Sequence, residues 1–124
     1  KGQSLVEVAL SLPLLLLILV GILDLGRAYF TFITLSDAAA EGAAFAAVHP
    51  TSTQQVIDRA VDSSNDLVVI DPSMVTVDYM DTMPGNPITV TVAYDYEIIT
   101  PIINGFAPDG LTLRAVVVQA IINP

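Results

Sequence analysis

The chain has no cysteine, a single histidine (His49) and only four basic residues among 124. Without cysteine there is no disulfide framework of the kind that small exported domains often use. Stability must come from packing, and neighbouring subunits are an obvious source. Four Lys and Arg against thirteen Asp and Glu give a net charge of −9. Such an acidic surface repels phosphate backbones, so nucleic acid is excluded as a partner. His49 has no serine, cysteine or acid arranged around it in sequence. No glycine-rich phosphate loop, zinc-ligand cluster or nucleophile motif occurs. The reading is of a protein that is not an enzyme, with no cofactor and no metal. The oxygen-rich stretch Asp62-Ser63-Ser64-Asn65-Asp66 lacks the spacing and the glycine of a calcium loop and reads as a solvated loop. There is no Asn-x-Ser/Thr acceptor, no internal repeat and no low-complexity tract.

What is present is apolar surface concentrated at one end. Charged residues make up 14% of the chain, against about 25% in ordinary soluble domains. Residues 5–23 read LVEVALSLPLLLLILVGIL, interrupted by Glu7, Ser11, Pro13 and Gly21. As a helix this run measures roughly 28 Å, about one bilayer core. Lys1 precedes it and Arg27 follows, while most of the acids come later. A basic start places the N-terminus in the cytoplasm and the acidic part outside. The length suits one domain. The chain does not open on methionine, which reads as a processed or trimmed product.

The apolar run is expected to continue as one long helix over about 3–47. Its later part, rich in alanine, favours helix, and its small side chains allow another element to approach closely. His49-Pro50 ends it, because a residue before proline avoids the α region. A second helix fits Thr53 to about Asn65, with Ser52 and Gln55 spaced as a capping box and Val56, Ile57, Ala60 and Val61 forming an apolar stripe. Then come strands. Val75, Val77 and Tyr79 alternate, as do Ile88, Val90, Val92, Tyr94, Tyr96 and Ile98. The MPGNP turn between them offers Gly85 and Asn86 for positive φ. A last strand over about 111–122 is apolar on both faces, so both should be covered. The stretch TPIINGFAPDG before it reads as a loop. The fold class is α+β, with a small antiparallel sheet packed on the distal half of the long helix. The expected organisation is a hydrophobic assembly or membrane helix over 1–27 and an external globular domain over 28–124 that shares the same helix.

The stretch KGQSLVEVALSLPLLLLILVGILDLGRAYF, with Lys1, Gly2, Gln3, Glu7, Pro13, Gly21, Asp24, Gly26 and Arg27, resembles the N-terminal region of TadE-like pilins of the tight-adherence (Tad) pilus system, within the type IV pilus superfamily. The segment AAAEGAAFAA is similar to the family's Ala-Ala-Arg-Glu-Gly-Ala-Arg, with Ala40 and Ala44 where basic residues are usual. The resemblance implies a pilin-like fold and a prepilin peptidase that cuts after Gly2, so that Gln3 becomes the first residue and Glu7 the fifth. Lys1 and Gly2 stand in this chain, so either the cut is not made, or it falls upstream, or this is a precursor form.

Within that frame the chain reads as a structural subunit of an extracellular, pilus-like filament of the cell surface, with adhesion as the associated role. It is held in the cytoplasmic membrane before assembly and then polymerises with itself through the apolar helix. Its other partners are the prepilin peptidase and the pilus assembly platform. Two alternatives are a minor or priming pseudopilin, and a membrane-anchored binding or scaffold module that never polymerises. Glu7 is the residue that a simple anchor has no use for, because an unpaired carboxylate in an apolar helix costs on the order of a few kcal/mol. Its partner is a neighbour's N-terminal amine or Lys1; otherwise it sits at the membrane edge and reaches water. Pro13 either kinks the helix or is simply tolerated in a membrane. Gly21 and Gly26 are close-packing points or loose points. Asp24 and Arg27, at i and i+3, are a local surface ion pair or, in a filament, a buried contact between subunits.

Overall fold

The computed structural model describes residues 2–122. In order, the chain forms α1 (Gly2–Val48), α2 (Thr53–Asp62), a 3-10 turn (Pro72–Met74), β1 (Val75–Tyr79), β2 (Pro87–Tyr96), α3 (Pro101–Phe106) and β3 (Leu111–Ala120). This is the α+β, pilin-like arrangement read from the sequence. Contacts divide it into two compact units, one made of 2–29 with 96–111 and the other of 30–95 with 112–122.

The second unit holds the hydrophobic core. From α1 it takes Leu35, Ala38, Ala39, Ala43 and Ala46, whose spacing of three and four residues marks one helix face. Val56 and Ala60 of α2 and Val75, Ile88, Val90, Val92 and Ala115 of the strands close on that face. Gly42 lies where the elements meet. A Cβ there would fall 3.2 Å from the Ala60 Cβ and 3.3 Å from a Val90 methyl. The sheet runs in the order β1-β2-β3. β1 pairs antiparallel with β2, Val75 opposite Val92 and Tyr79 opposite Ile88. Across the sheet's end, Gly85 donates to the Ile121 carbonyl (2.8 Å), Ile121 to that of Asn86 (2.9 Å) and Ile122 to that of Ala47 (2.8 Å).

Four local expectations are corrected. Ser52 precedes α2, but its side chain caps nothing and its ψ of 53° is not that of a capping serine. Its N–H is spent on the His49 carbonyl in the preceding turn (3.1 Å). Asp62 ends α2, because Asn65 turns its Oδ1 to the N–H groups of Leu67 and Val68, both at 3.0 Å. Gly85 takes a positive φ (90°) and Asn86 does not. The Asn86 amide instead donates to Asp81. On β3, Leu113, Ala115 and Val117 face inward, but Val116 and Val118 are exposed. Among the described residues the chain covers one face of that strand.

Candidate assembly surface

The side chains of residues 5–23 carry the largest apolar surface in the molecule. Leu5, Leu10, Leu14, Leu15, Ile18, Ile22 and Leu23 are all more than half exposed, Leu5 by 75%. A helix that is apolar all round has no stripe to bury in its own chain and calls for a non-aqueous surrounding. Its backbone satisfies its own hydrogen bonds, so it can enter lipid or a bundle of helices without orphaned polar groups. α1 is long and apolar enough to cross a membrane.

The residues singled out on this stretch are placed as follows. Gly2 and Gln3 occupy the exposed first turn of α1. Lys1 lies outside the described residues, and so does its proposed contact with Glu7. Glu7 is exposed, with no hydrogen bond or ion pair to the described residues of its own chain. Pro13 lies inside α1 without interrupting it. A Cβ on Gly21 or Gly26 would meet nothing within 4 Å, so at both points the helix surface stands open to another molecule.

Asp24 is different. It directly follows the apolar run and is only 5% exposed. Arg27 does reach it, at 3.4 Å, but from a half-exposed position. The nearer partners come from the segment between β2 and β3. Thr100 donates its backbone N–H (2.6 Å) and its hydroxyl to the Asp24 carboxylate. The N–H of Ile99 lies 3.1 Å from the same oxygen. The Tyr96 hydroxyl donates to the Asp24 carbonyl at 3.1 Å, and the Arg27 guanidinium stands 5.6 Å from the Tyr96 ring centre. Two N–H groups, one hydroxyl and a cation therefore compensate a buried carboxylate. Within this unit the structure brings Asp24 and Arg27 together, and adds Tyr96, Ile99 and Thr100, which sequence reasoning missed. The stretch assigned to a loop holds α3 instead. Thr100-Pro101 is a legible start, because proline at the first helical position gives up no needed N–H. The Thr100 hydroxyl caps nothing in α3, being committed to Asp24.

Away from this unit, the remaining candidates have local roles. His49 stacks on Phe45 with ring centres 4.5 Å apart. Arg59 pairs with Glu41 at 3.4 Å on the surface.

A long N-terminal helix, a short second helix and a three-stranded antiparallel sheet make a pilin-like α+β fold. Residues 2–44 match the family described as TadE-like protein, consistent with a TadE-like pilin of the Tad pilus system. The match spans the apolar run, Asp24, Arg27 and much of the alanine-rich face. No curated protein and no solved structure matches the chain. The match covers about a third of the chain, its N-terminal part.

Proposed function

We propose that the chain is a structural subunit of an extracellular pilus-like filament, polymerising with its own copies through residues 5–23. The observation that carries this reading is the apolar surface running all round that segment, which the chain's own described residues leave open. In the membrane, lipid covers this surface; in a filament, helices of other copies replace the lipid, so the transfer is not costly. Glu7, exposed in the first turns of the helix, supplies the polar contact that fixes register with a neighbour. Gly21 and Gly26 admit close approach, and Pro13 lets the helix adjust where it is crowded. The assembly platform and the prepilin peptidase act on the membrane-held form. The test is electron microscopy of purified surface fibres with their protein identified by mass spectrometry. Fibres built of this chain support the reading. Fibres without it, alongside a chain that stays in the membrane, reject it.

A further inference from the structure

We infer that the segment 99–106 is a lipid-contacting foot, seated in the headgroup layer of the membrane at the point where α1 leaves the hydrocarbon. The inference rests on the reading that residues 5–23 span the bilayer before assembly. Three observations within one unit lead to it.

The first is position. Asp24 is the residue after the apolar run, and its carboxylate holds the N–H groups of Ile99 and Thr100 at 3.1 and 2.6 Å. If residues 5–23 fill the hydrocarbon, Asp24 stands at its outer boundary, and Ile99 and Thr100 stand there with it. α3, six residues long, measures about 9 Å. The second is exposure. Ile99, Ile103 and Phe106 turn apolar side chains outward, Phe106 by 88%. Ile99 is 60% exposed and Ile103 41%. The third is the polar surrounding. Arg27 is the only cation among the unit's described residues, and Tyr29, two positions on along α1, is exposed. A basic residue and a tyrosine at the end of a spanning helix are the side chains that settle at the headgroup level.

The occupant is therefore the lipid surface. The tether fixes the foot beside the membrane boundary whether or not a second copy is present. Glu97 and Asp109 flank the foot and are exposed, so a zwitterionic bilayer suits it better than an anionic one.

The test uses the full chain, which contains no tryptophan, so that one introduced tryptophan reports its own surroundings. Phe106→Trp and Leu15→Trp are reconstituted separately into phosphatidylcholine vesicles carrying bromine either near the headgroup or near the acyl terminus. The expected result is blue-shifted emission from Phe106→Trp, quenched more by the shallow bromine than by the deep. Leu15→Trp should show the reverse order. Water-like, unquenched emission from Phe106→Trp beside deep quenching of Leu15→Trp would overturn the foot and leave the spanning helix standing. A blue shift that grows with the protein-to-lipid ratio but is not quenched would also overturn it, by showing that a second copy covers the site. If neither position is quenched, the spanning reading fails and the foot fails with it.

Discussion

The two parts of α1 carry opposite kinds of apolar surface. Residues 5–23 are mostly leucine, isoleucine and valine, and are mostly exposed, with Leu17, Val20 and Gly21 half-buried on one face. From Leu35 to Ala46 the buried positions are mostly alanine, and the glycine among them lies against Ala60 and Val90. Large side chains stand where the chain offers nothing to pack on; small ones stand where its own strands and α2 come close. Side-chain volume thus separates the surface left for others from the surface the chain closes itself. Burial of the second kind is settled on folding; in the proposed function, lipid or other copies supply the first.

The strongest way to break this comparison is at Glu7. On the proposal that Glu7 pairs with a neighbouring copy, Glu7→Ala removes the carboxylate and leaves that partner unpaired, which usually costs more than the pair contributes. Both Glu7→Ala and Glu7→Gln make the helix more apolar, so membrane insertion persists. The expected outcome is a normal amount of subunit in the membrane fraction with few or no fibres for Glu7→Ala, and a milder loss for Glu7→Gln. Wild-type fibre counts from Glu7→Ala would show that the carboxylate is no assembly contact.

The next test sets one leucine against another. Leu35→Ala opens a cavity in a closed core and should lower stability by about 2–5 kcal/mol. Leu15→Ala removes the same atoms from an exposed site and should leave the denaturation midpoint of detergent-solubilised chain nearly unchanged. Equal losses from the two would dissolve the distinction between the halves.

Asp24→Ala leaves the Ile99 and Thr100 donors unpaired, a loss of about 1–3 kcal/mol. It should appear as faster hydrogen exchange at those two amides while Val90 and Val92 stay protected. Uniform acceleration would mean that Asp24 supports the whole fold and not one segment. Gly42→Val sharpens the comparison from the other side. Its added methyls meet Ala60 and Val90, and overpacking of this kind costs about 1–3 kcal/mol. The same change at Gly26, where a Cβ meets nothing, should leave the melting temperature of the detergent-solubilised chain within error.

The smallest effect is with acid. Asp71 is held below the usual carboxylate range chiefly by the hydroxyl of Ser73, with the Ser73 N–H assisting. Asp81 is lowered chiefly by the Asn86 amide and then by the Met83 N–H. Their folded-state values lie below the unfolded ones. The stability they add is therefore full above about pH 4 and lost as pH falls through the folded values. Both are solvent-exposed, so the loss is slight. Asp71→Ala with Asp81→Ala should shrink the drop in melting temperature between neutral and strongly acidic pH. An unchanged drop would assign acid sensitivity to other carboxylates.

Much of this was legible from residue order, because it is periodic. The alternation from Ile88 to Tyr96 gave the inner face of β2, and His49-Pro50 gave the end of α1. The spacing of Val56 and Ala60 gave the buried stripe of α2. What escaped is not periodic. Asp24 and Thr100 stand 76 positions apart, and no local pattern links an acid in a helix to two amides before a proline. The adjacent Arg27 offered a simpler partner, which hid the more distant ones. Ser52 had the right identity and spacing for a cap, but the turn with His49 claimed its backbone first. The exposed outer valines of β3 could not be told from covered ones, since an apolar strand looks the same whether its second face is covered by its own chain or by nothing in it.

The closure at the end of the sheet has a kinetic consequence. The alanine-rich part of α1 is a good local helix and needs no distant partner to begin forming. Its core face is complete only when Ala115 and Ile121 arrive, and Ile122 then binds the Ala47 carbonyl. Contacts between an early helix and a late strand make folding of this unit slow relative to its helices. During that delay the face left waiting consists of alanine and one glycine around Leu35, with little greasy area to attract a wrong partner. The side chains that let the strands come close at the end also leave that one face with little apolar area to expose at the start.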